Sequence, residues 1–310
     1  MIDSQFINFS SVFMDILSIF NTYKTQAKCV KHLEKIRWNG KPKCVYCSSD
    51  RITPVKTELR HKCGACGKSF SVTVGTIYHD TRLPLQKWFL ATAIILNAKK
   101  GISARELARQ IKVNKDTAWR MEMKIREAMQ DEEQNKLFSG IVECDECYIG
   151  GKKKKGDKKK DDDDNFINPR GRATKKQGVI GVVERATGRV KIQKQDKFKF
   201  SDIKAFLEKH LDFGNTHLYT DDFKGYKPFK KLVQHSTVNH SLGEYTRGDV
   251  HTNTIEGFWG IFKRAFIGSY HQLSKQYLER YIQECCFKYN NRLNKDVFGL
   301  VIANSVRSSF

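Results

Sequence analysis

The sequence contains no apolar run long enough to cross a lipid bilayer. The stretch Phe6–Phe20 is interrupted by polar side chains, and the stretch Trp88–Ala98 has only 11 residues, whereas a transmembrane helix needs about 20. The chain starts with Met1-Ile2-Asp3-Ser4 and lacks the basic residues that open a signal peptide. We therefore expect no membrane partner and no secretory targeting.

Acidic residues are scarce relative to basic ones. The 310-residue chain has 34 Asp and Glu against 56 Lys and Arg, a formal charge of +22 and a pI near 9.6. This excess favours a polyanionic partner, because neutralised phosphates release counterions; a soluble protein with a solvated basic surface is the alternative. A glycine-rich phosphate loop ending in Lys-Ser/Thr is also missing, so an ATPase or nuclease of the P-loop class is not supported.

The nine cysteines are an odd number, and several are closely spaced pairs. This arrangement argues against a secreted disulfide framework and for a reducing compartment. With a nucleic-acid partner, we expect the cytoplasm or nucleoid in a bacterium and the nucleus in a eukaryote.

Two Cys-x-x-Cys pairs are separated by 15 residues: Cys44 with Cys47, and Cys63 with Cys66. Each pair turns tightly enough to aim two thiolates at one ion, and a small hairpin joins the pairs. The spacing predicts a zinc ribbon with one Zn²⁺, which is structural because four protein ligands leave no open position. Two redox pairs or unbound thiols are the alternatives. The other cysteines are expected to be small buried residues: Cys29, Cys144, Cys147, Cys285 and Cys286.

The segment 84–130 is predicted to be helical, and its centre has the form of a helix-turn-helix. Ser103 and Glu106 have capping-box spacing, Val113-Asn114 makes a turn, and a second helix opens at Lys115. In a helix-turn-helix the second helix enters the major groove; an ordinary helical hairpin is the alternative. The candidate phosphate contacts are Lys112, Lys115, Arg120 and Lys124.

Carboxylates recur beside predicted strands in the C-terminal half. Asp145 lies in an apolar strand that starts at Ile141, Asp221 ends a strand that starts at His217, and Glu256 lies on a helix. A carboxylate buried in a strand is costly unless it is paired or binds a metal. The order strand, hairpin, helix, strand, helix is that of an RNase H-like domain, in which such carboxylates hold two ions about 4 Å apart. Oxygen ligands favour Mg²⁺ or Mn²⁺.

These residues also resemble the IS1595/ISXO2-like transposases. The resemblance keeps its order from about residue 27 to 295 and rests on the following motifs: Val142-Glu143-x-Asp145-Glu146-x-Tyr148-Ile149-Gly150-Gly151, Gly181-x-Val183-Glu184-Arg185, Thr220-Asp221-x-x-x-x-Tyr226, Val238-Asn239-His240, His251-Thr252-Asn253-x-Ile255-Glu256-Gly257-Phe258-Trp259, Lys263-Arg264, Gly268-x-Tyr270-His271 and Tyr289-Asn290-x-Arg292. It implies a DDE transposase with a zinc-ribbon module. Composition and spacing alone imply only a metal-dependent nucleic-acid enzyme.

Two residues compete for the third position at the metal site. Asn253 and Glu256 are three apart and share a helix face, and Lys263 lies two turns beyond Glu256 on that face. Some members of the resembled family have asparagine at this position. A carboxylate holds a divalent cation better than a neutral amide, so we assign Glu256 to the metal. Asn253 would orient water or phosphate, and Lys263 and Arg264 would bind phosphates near the cut.

These features together predict an α+β or α/β chain. The predicted regions are an N-terminal helical segment (1–38), a Cys₄ zinc ribbon (39–80), a helix-turn-helix-like DNA-binding region (84–130), an RNase H-like catalytic domain with a mixed sheet flanked by helices (139–295) and a C-terminal tail (296–310). The tract Lys152–Asn165 is low in complexity and cannot bury apolar surface, so we expect a mobile loop. Its Lys152–Lys155 run either contacts DNA or is simply solvated.

The predicted function is that of an insertion-sequence transposase. It would cleave transposon ends and join them to target DNA by two-metal phosphoryl transfer. Double-stranded DNA is the expected partner, and a homodimer or larger synaptic complex follows from the need to bring two ends together. An RNase H-fold nuclease without strand transfer and a DNA-binding regulator with a silent catalytic domain are the alternatives.

Overall fold

The computed structural model describes residues 15–130, 135–150, 159–160, 166–167, 176–239, 246–270 and 273–307. The chain divides into two compact units: Met1–Gln130 with Asn291–Phe310, and Asp131–Asn290. The first 14 residues of the predicted segment 1–38 lie outside the described residues, and so does the tract Lys152–Asn165 apart from residues 159–160. No helix in the described ranges is long and apolar enough to cross a membrane.

The first unit combines helices with a small antiparallel sheet. Its elements are α1 (Ile16–Thr22), α2 (Gln26–Trp38), β1 (Ile52–Val55), β2 (Arg60–Cys63), β3 (Ser69–Phe70), α3 (Leu85–Asn97), α4 (Ala104–Ile111), α5 (Lys115–Ala128) and, from the end of the chain, α9 (Val297–Arg307). The strands pair in the order β1-β2-β3. The segment predicted only as a tail contains α9, which packs on α2, α3 and α5.

The second unit is built on a mixed sheet. Its elements are β4 (Phe138–Ile149), β5 (Lys159–Lys160), β6 (Phe166–Ile167), β7 (Gln177–Glu184), β8 (Arg189–Gln195), α6 (Phe200–His210), β9 (Leu211–Asp221), β10 (Gln234–Val238), α7 (Asn253–Ala265) and α8 (Leu278–Asn290). The sheet order is β10-β9-β4-β7-β8. β4, β7 and β8 are antiparallel neighbours, and β9 and β10 run parallel to β4. This is the strand order of an RNase H-like fold, so the predicted fold class is confirmed.

The two faces of this sheet bury separate cores, because alternate residues of β4 point to opposite sides. Cys144 packs with residues of α6, whereas Cys147 packs with residues of α7 and α8. The prediction that these two cysteines lie on opposite faces and are buried is confirmed. Cys29 and Cys286 are also buried, and Cys285 is partly buried against the α7 and α8 core.

Candidate functional site

Asp145 and Asp221 lie side by side because β4 and β9 are parallel. The last backbone pair between these strands joins Glu143 to Tyr219. Each aspartate is two residues further along its own strand, so both point to the same face of the sheet. Asp221 ends β9, and its Oδ1 accepts the N–H of Phe223 at 3.1 Å, which turns the chain away from the sheet.

Asp145 is surrounded by like charge. Burial first, and then the negative charges of Asp221 and Glu256, raise the pKa of the Asp145 carboxyl to about 7. The indole of Trp259 and the ammonium of Lys263 oppose this rise. Three acids that repel one another in a partly buried place fit a divalent cation, whose charge would remove the repulsion.

The three candidate carboxylates are spread more widely than the ribbon thiols. In the described ranges, only the four ribbon cysteines place three or more metal-ligating atoms within 4.8 Å of one another. Glu256 is exposed, and its Oε1 accepts the hydroxyl of Thr252 at 2.9 Å. The ligand atoms of Asp145, Asp221 and Glu256 are therefore not gathered as closely as those of the four cysteines.

Helix α7, which carries Asn253, Glu256 and Lys263, is fixed to the sheet by the buried carboxylate of Glu143. That carboxylate accepts the backbone N–H of Thr254 at 2.9 Å and of Ile255 at 3.0 Å, together with the Thr254 hydroxyl at 2.9 Å. A helix N-terminus has unpaired N–H groups and a partial positive charge, and a carboxylate satisfies both. The strand that carries Asp145 thus also sets the position of the helix that carries Glu256.

Arg185 completes this anchor. Its Nε donates to Glu143 at 2.6 Å, its Nη1 donates to the carbonyl of Asp249 at 2.6 Å and its Nη2 donates to the carbonyl of His251 at 2.8 Å. The guanidinium also lies over the ring of Tyr219, 4.8 Å from its centroid. One side chain from the end of the β7–β8 hairpin therefore holds the segment that leads into α7.

We expect Glu143→Ala to destabilise the protein strongly. Glu143 is fully buried, and removing one partner of a buried ion pair costs about 3–5 kcal/mol. The matched control is Glu208→Ala, since Glu208 forms an exposed pair with Lys204 on α6 at 3.3 Å and exposed pairs contribute about 1 kcal/mol or less. Urea unfolding of both variants measures the difference, and equal midpoints would contradict the anchoring role.

On the opposite face of the sheet, Tyr226 joins β4 to the chain that follows β9. It is fully buried, its hydroxyl donates to Glu146 at 2.9 Å, and the thiol of Cys144 donates to that hydroxyl at 3.6 Å. Tyr226 therefore supports the turn that follows Asp221 from beneath the site.

The predicted helix pair is present in the first unit. Ser103 caps α4 by accepting the N–H of Glu106 at 3.3 Å, and α4 packs on α5. The candidate DNA contacts Lys112, Lys115 and Arg120 are exposed. Lys124 is only partly exposed, and its Nζ lies 3.8 Å from Glu127. In the second unit, Lys263, Arg264 and Asn253 are exposed on α7.

The four ribbon cysteines converge as a zinc site requires. The Sγ atoms of Cys44 and Cys66 are 3.7 Å apart, and those of Cys47 and Cys63 are 3.6 Å apart. Four sulfurs about 2.3 Å from one tetrahedral Zn²⁺ would be about 3.8 Å from one another. The cysteines thus form a structural zinc site.

Glu143, Arg185 and Trp259 have no role in the sequence-based prediction of the site. All three lie inside motifs of the resembled family. One sequence feature could have identified Glu143 as part of the site: it lies two residues before Asp145 and therefore on the same face of the strand.

Two families of known proteins match parts of the chain. Residues 137–290 match the ISXO2-like transposase domain, and residues 24–69 match the transposase zinc-ribbon domain. The chain is 29% identical over 276 residues to a Halobacterium salinarum protein described as an uncharacterized protein in transposable element ISH50, covering 84% of this chain and 90% of that protein.

Two solved structures also share a remote likeness with the chain. A pre-cleavage Mos1 transpososome is 11% identical, with a TM-score of 0.26 over 69% of this chain and 78% of that one. A Mos1 strand transfer complex is 12% identical, with a TM-score of 0.24 over 70% and 78%. Similarity at this level carries no argument, so the relationship rests on the sequence matches.

Proposed function

The chain belongs to the ISXO2-like transposases, and we propose that it cuts the ends of its insertion element and joins them to target DNA at a two-metal site formed by Asp145, Asp221 and Glu256. The observation that carries this proposal is the position of Asp145 beside Asp221 on parallel neighbouring strands, where burial first, and then the charges of Asp221 and Glu256, raise the pKa of Asp145 to about 7. Mg²⁺ or Mn²⁺ suits these oxygen ligands.

Each side chain has a proposed part in the reaction. Bound ions would lower the pKa of the attacking water or 3′-hydroxyl and neutralise charge in the in-line transition state. Asp145 and Asp221, on the rigid sheet, would bind the metal ions that contact the reacting phosphate. Glu256 would bind them from α7. Asn253, one turn before Glu256, orients water or a phosphate oxygen. Lys263 and Arg264 bind phosphates next to the scissile bond, as exposed cations do on DNA.

DNA binding is proposed to extend to the helix pair of the first unit. Lys112, Lys115 and Arg120 are exposed around the turn between α4 and α5 and the start of α5, where a helix-turn-helix meets the backbone and major groove. Lys124 contributes less, because it also faces Glu127. We further propose that two or more copies assemble on paired transposon ends, in the nucleoid of a bacterium or the nucleus of a eukaryote.

A cleavage and joining assay tests the proposal. The substrate is a labelled duplex that carries the terminal sequence of the element, with a supercoiled plasmid as target and Mg²⁺ or Mn²⁺ added. We expect nicked ends and plasmid-joined products, both lost when the divalent ion is omitted. Cleavage without joined products would instead identify a nuclease, and binding without cleavage would identify a regulator.

Glu256→Gln and Asn253→Ala should separate the roles of these neighbours. Gln cannot neutralise a divalent cation, so Glu256→Gln should remove cleavage. Asn253→Ala should reduce cleavage by roughly 10–100-fold, the usual effect of losing an outer-shell partner. Rates come from single-turnover cleavage of the same duplex. If Asn253→Ala were inactive and Glu256→Gln remained active, Asn253 rather than Glu256 would be the third ligand.

A further inference from the structure

The indole N–H of Trp259 is a buried hydrogen-bond donor. Trp259 lies on α7 one turn after Glu256 and is 2% exposed, and in the part of the chain that the structure describes its Nε1 has no hydrogen-bond partner. An indole N–H can only donate, and buried polar groups nearly always have a partner. A buried donor without a partner next to a strand that carries a carboxylate therefore points to a hydrogen bond that forms when that carboxylate is reoriented by its ligand.

The sequence makes room for this ring beside Asp145. Asp145 pairs with Gly181 across β4 and β7, and a Cβ on Gly181 would lie 2.9 Å from both Cζ2 and Cη2 of Trp259. The ring therefore lies against the backbone directly opposite Asp145.

We propose that Trp259 is a positioning residue for Asp145, whose indole N–H binds the carboxylate oxygen left free when the other oxygen ligates a metal ion. The inference rests on the metal site proposed above. Metal-ligating groups are held by outer-shell hydrogen bonds that fix their orientation. A neutral, donor-only group suits this task, because it adds no charge to compete with the cation. Gly181 acts with it by keeping the space that the ring needs.

Nitrogen-15 labelling of the indoles reads this contact directly. The chain has four tryptophans, and Trp259→Phe identifies the signal of Trp259 in the full-length protein. On titration with Mg²⁺, we expect the Trp259 N–H proton to move downfield as the bond forms, while the other three signals stay in place. Asp145→Asn should abolish the shift.

Metal affinity gives a second readout that does not depend on DNA cleavage. Trp259→Phe should weaken Mn²⁺ binding roughly 10–100-fold, measured from the EPR signal of free Mn²⁺. The control is Trp88→Phe, because the Trp88 N–H donates to Thr81 at 2.9 Å in the other unit; its affinity should be unchanged. Gly181→Ala keeps the indole but displaces it, so it should weaken binding and reduce the shift even if Trp259→Phe folds poorly.

Two results would overturn the proposal, and they distinguish the role of Trp259 from the metal site itself. A Trp259 signal that stays fixed while Mn²⁺ or Mg²⁺ binds with normal affinity would remove the role of Trp259 and leave the metal site standing. No divalent-ion binding by the unaltered chain would remove the metal site, and this proposal with it.

Discussion

Asp145→Asn and Asp221→Asn are each expected to abolish strand cleavage while DNA binding is retained. The amide has nearly the shape of the carboxylate, so the sheet keeps its geometry. It carries no charge, however, and a two-ion site depends on carboxylate charge to hold its cations. The loss should reach at least 10³-fold, on the order of 4 kcal/mol in transition-state stabilisation.

The measurement pairs single-turnover cleavage with binding of the same labelled end by gel shift. Asp222→Asn is the matched control, because Asp222 adjoins Asp221 in the chain but lies beyond the end of β9 and is exposed. It should cleave at close to the normal rate. Full cleavage by either Asp145→Asn or Asp221→Asn would contradict the assignment of the metal site.

The same substitution should have the opposite effect on stability when no metal is present. The pKa of Asp145 is raised from 3.8 to about 7, so the folded state binds this proton more tightly than the unfolded state. By linkage, the metal-free protein loses stability as the pH rises from about 4 to about 7. Asp145→Asn removes that loss, so its Tm at pH 8, in buffer without added Mg²⁺ or Mn²⁺ and without a chelator, should exceed that of the unaltered chain. An equal or lower Tm would show that burial and the neighbouring acids do not disfavour the charged form of Asp145 as described.

The fold was predictable where the signal is local. The apolar strand around Asp145, the Thr187-Gly188 hairpin and the helix that opens at Asn253 all follow from patterns of a few residues, and their order defines the topology. The start of β9 was not predictable: it begins at Leu211 rather than His217. The register between β4 and β9 shifts between Phe138 and Gly140 of β4. At the start of β9, Asp212 accepts hydrogen bonds from Gly214 and Asn215. This part of β9 therefore has the sequence of a turn.

For the site itself, the sequence indicates only the candidate ligands. Carboxylates in strands are costly enough to stand out, which singled out Asp145 and Asp221. Glu143 and Arg185, which form the anchor, are 42 positions apart in the sequence. Glu143 and Thr254, which are joined by a hydrogen bond, are 111 positions apart. No periodicity encodes contacts at such distances. The buried indole N–H of Trp259 likewise cannot be recognised from the sequence, because its burial depends on the packing of α7 against the sheet.

The other large effect concerns the zinc ribbon: Cys63→Ser should unfold the segment 39–80. The hydrophobic cluster around its cysteines is small: Cys44, Cys63 and Phe70 are buried, with a few partly buried apolar side chains around them. Its strands are two to four residues long. Domains this small need a structural metal ion or disulfide bonds to fold. Zinc binding contributes about 10–16 kcal/mol in such modules, far more than this core could replace.

Substitution is a sharper test than chelation here, because a chelator would also remove any Mg²⁺ or Mn²⁺ from the acids. Zinc content by mass spectrometry should fall from one ion per chain to none in Cys63→Ser, and limited proteolysis should then cut within 39–80. Cys285→Ser is the control, since Cys285 lies in α8, outside the four-cysteine set; it should keep its zinc and resist cleavage. If Cys63→Ser kept one zinc and the same protease resistance, the ribbon could not depend on four thiolates for its fold.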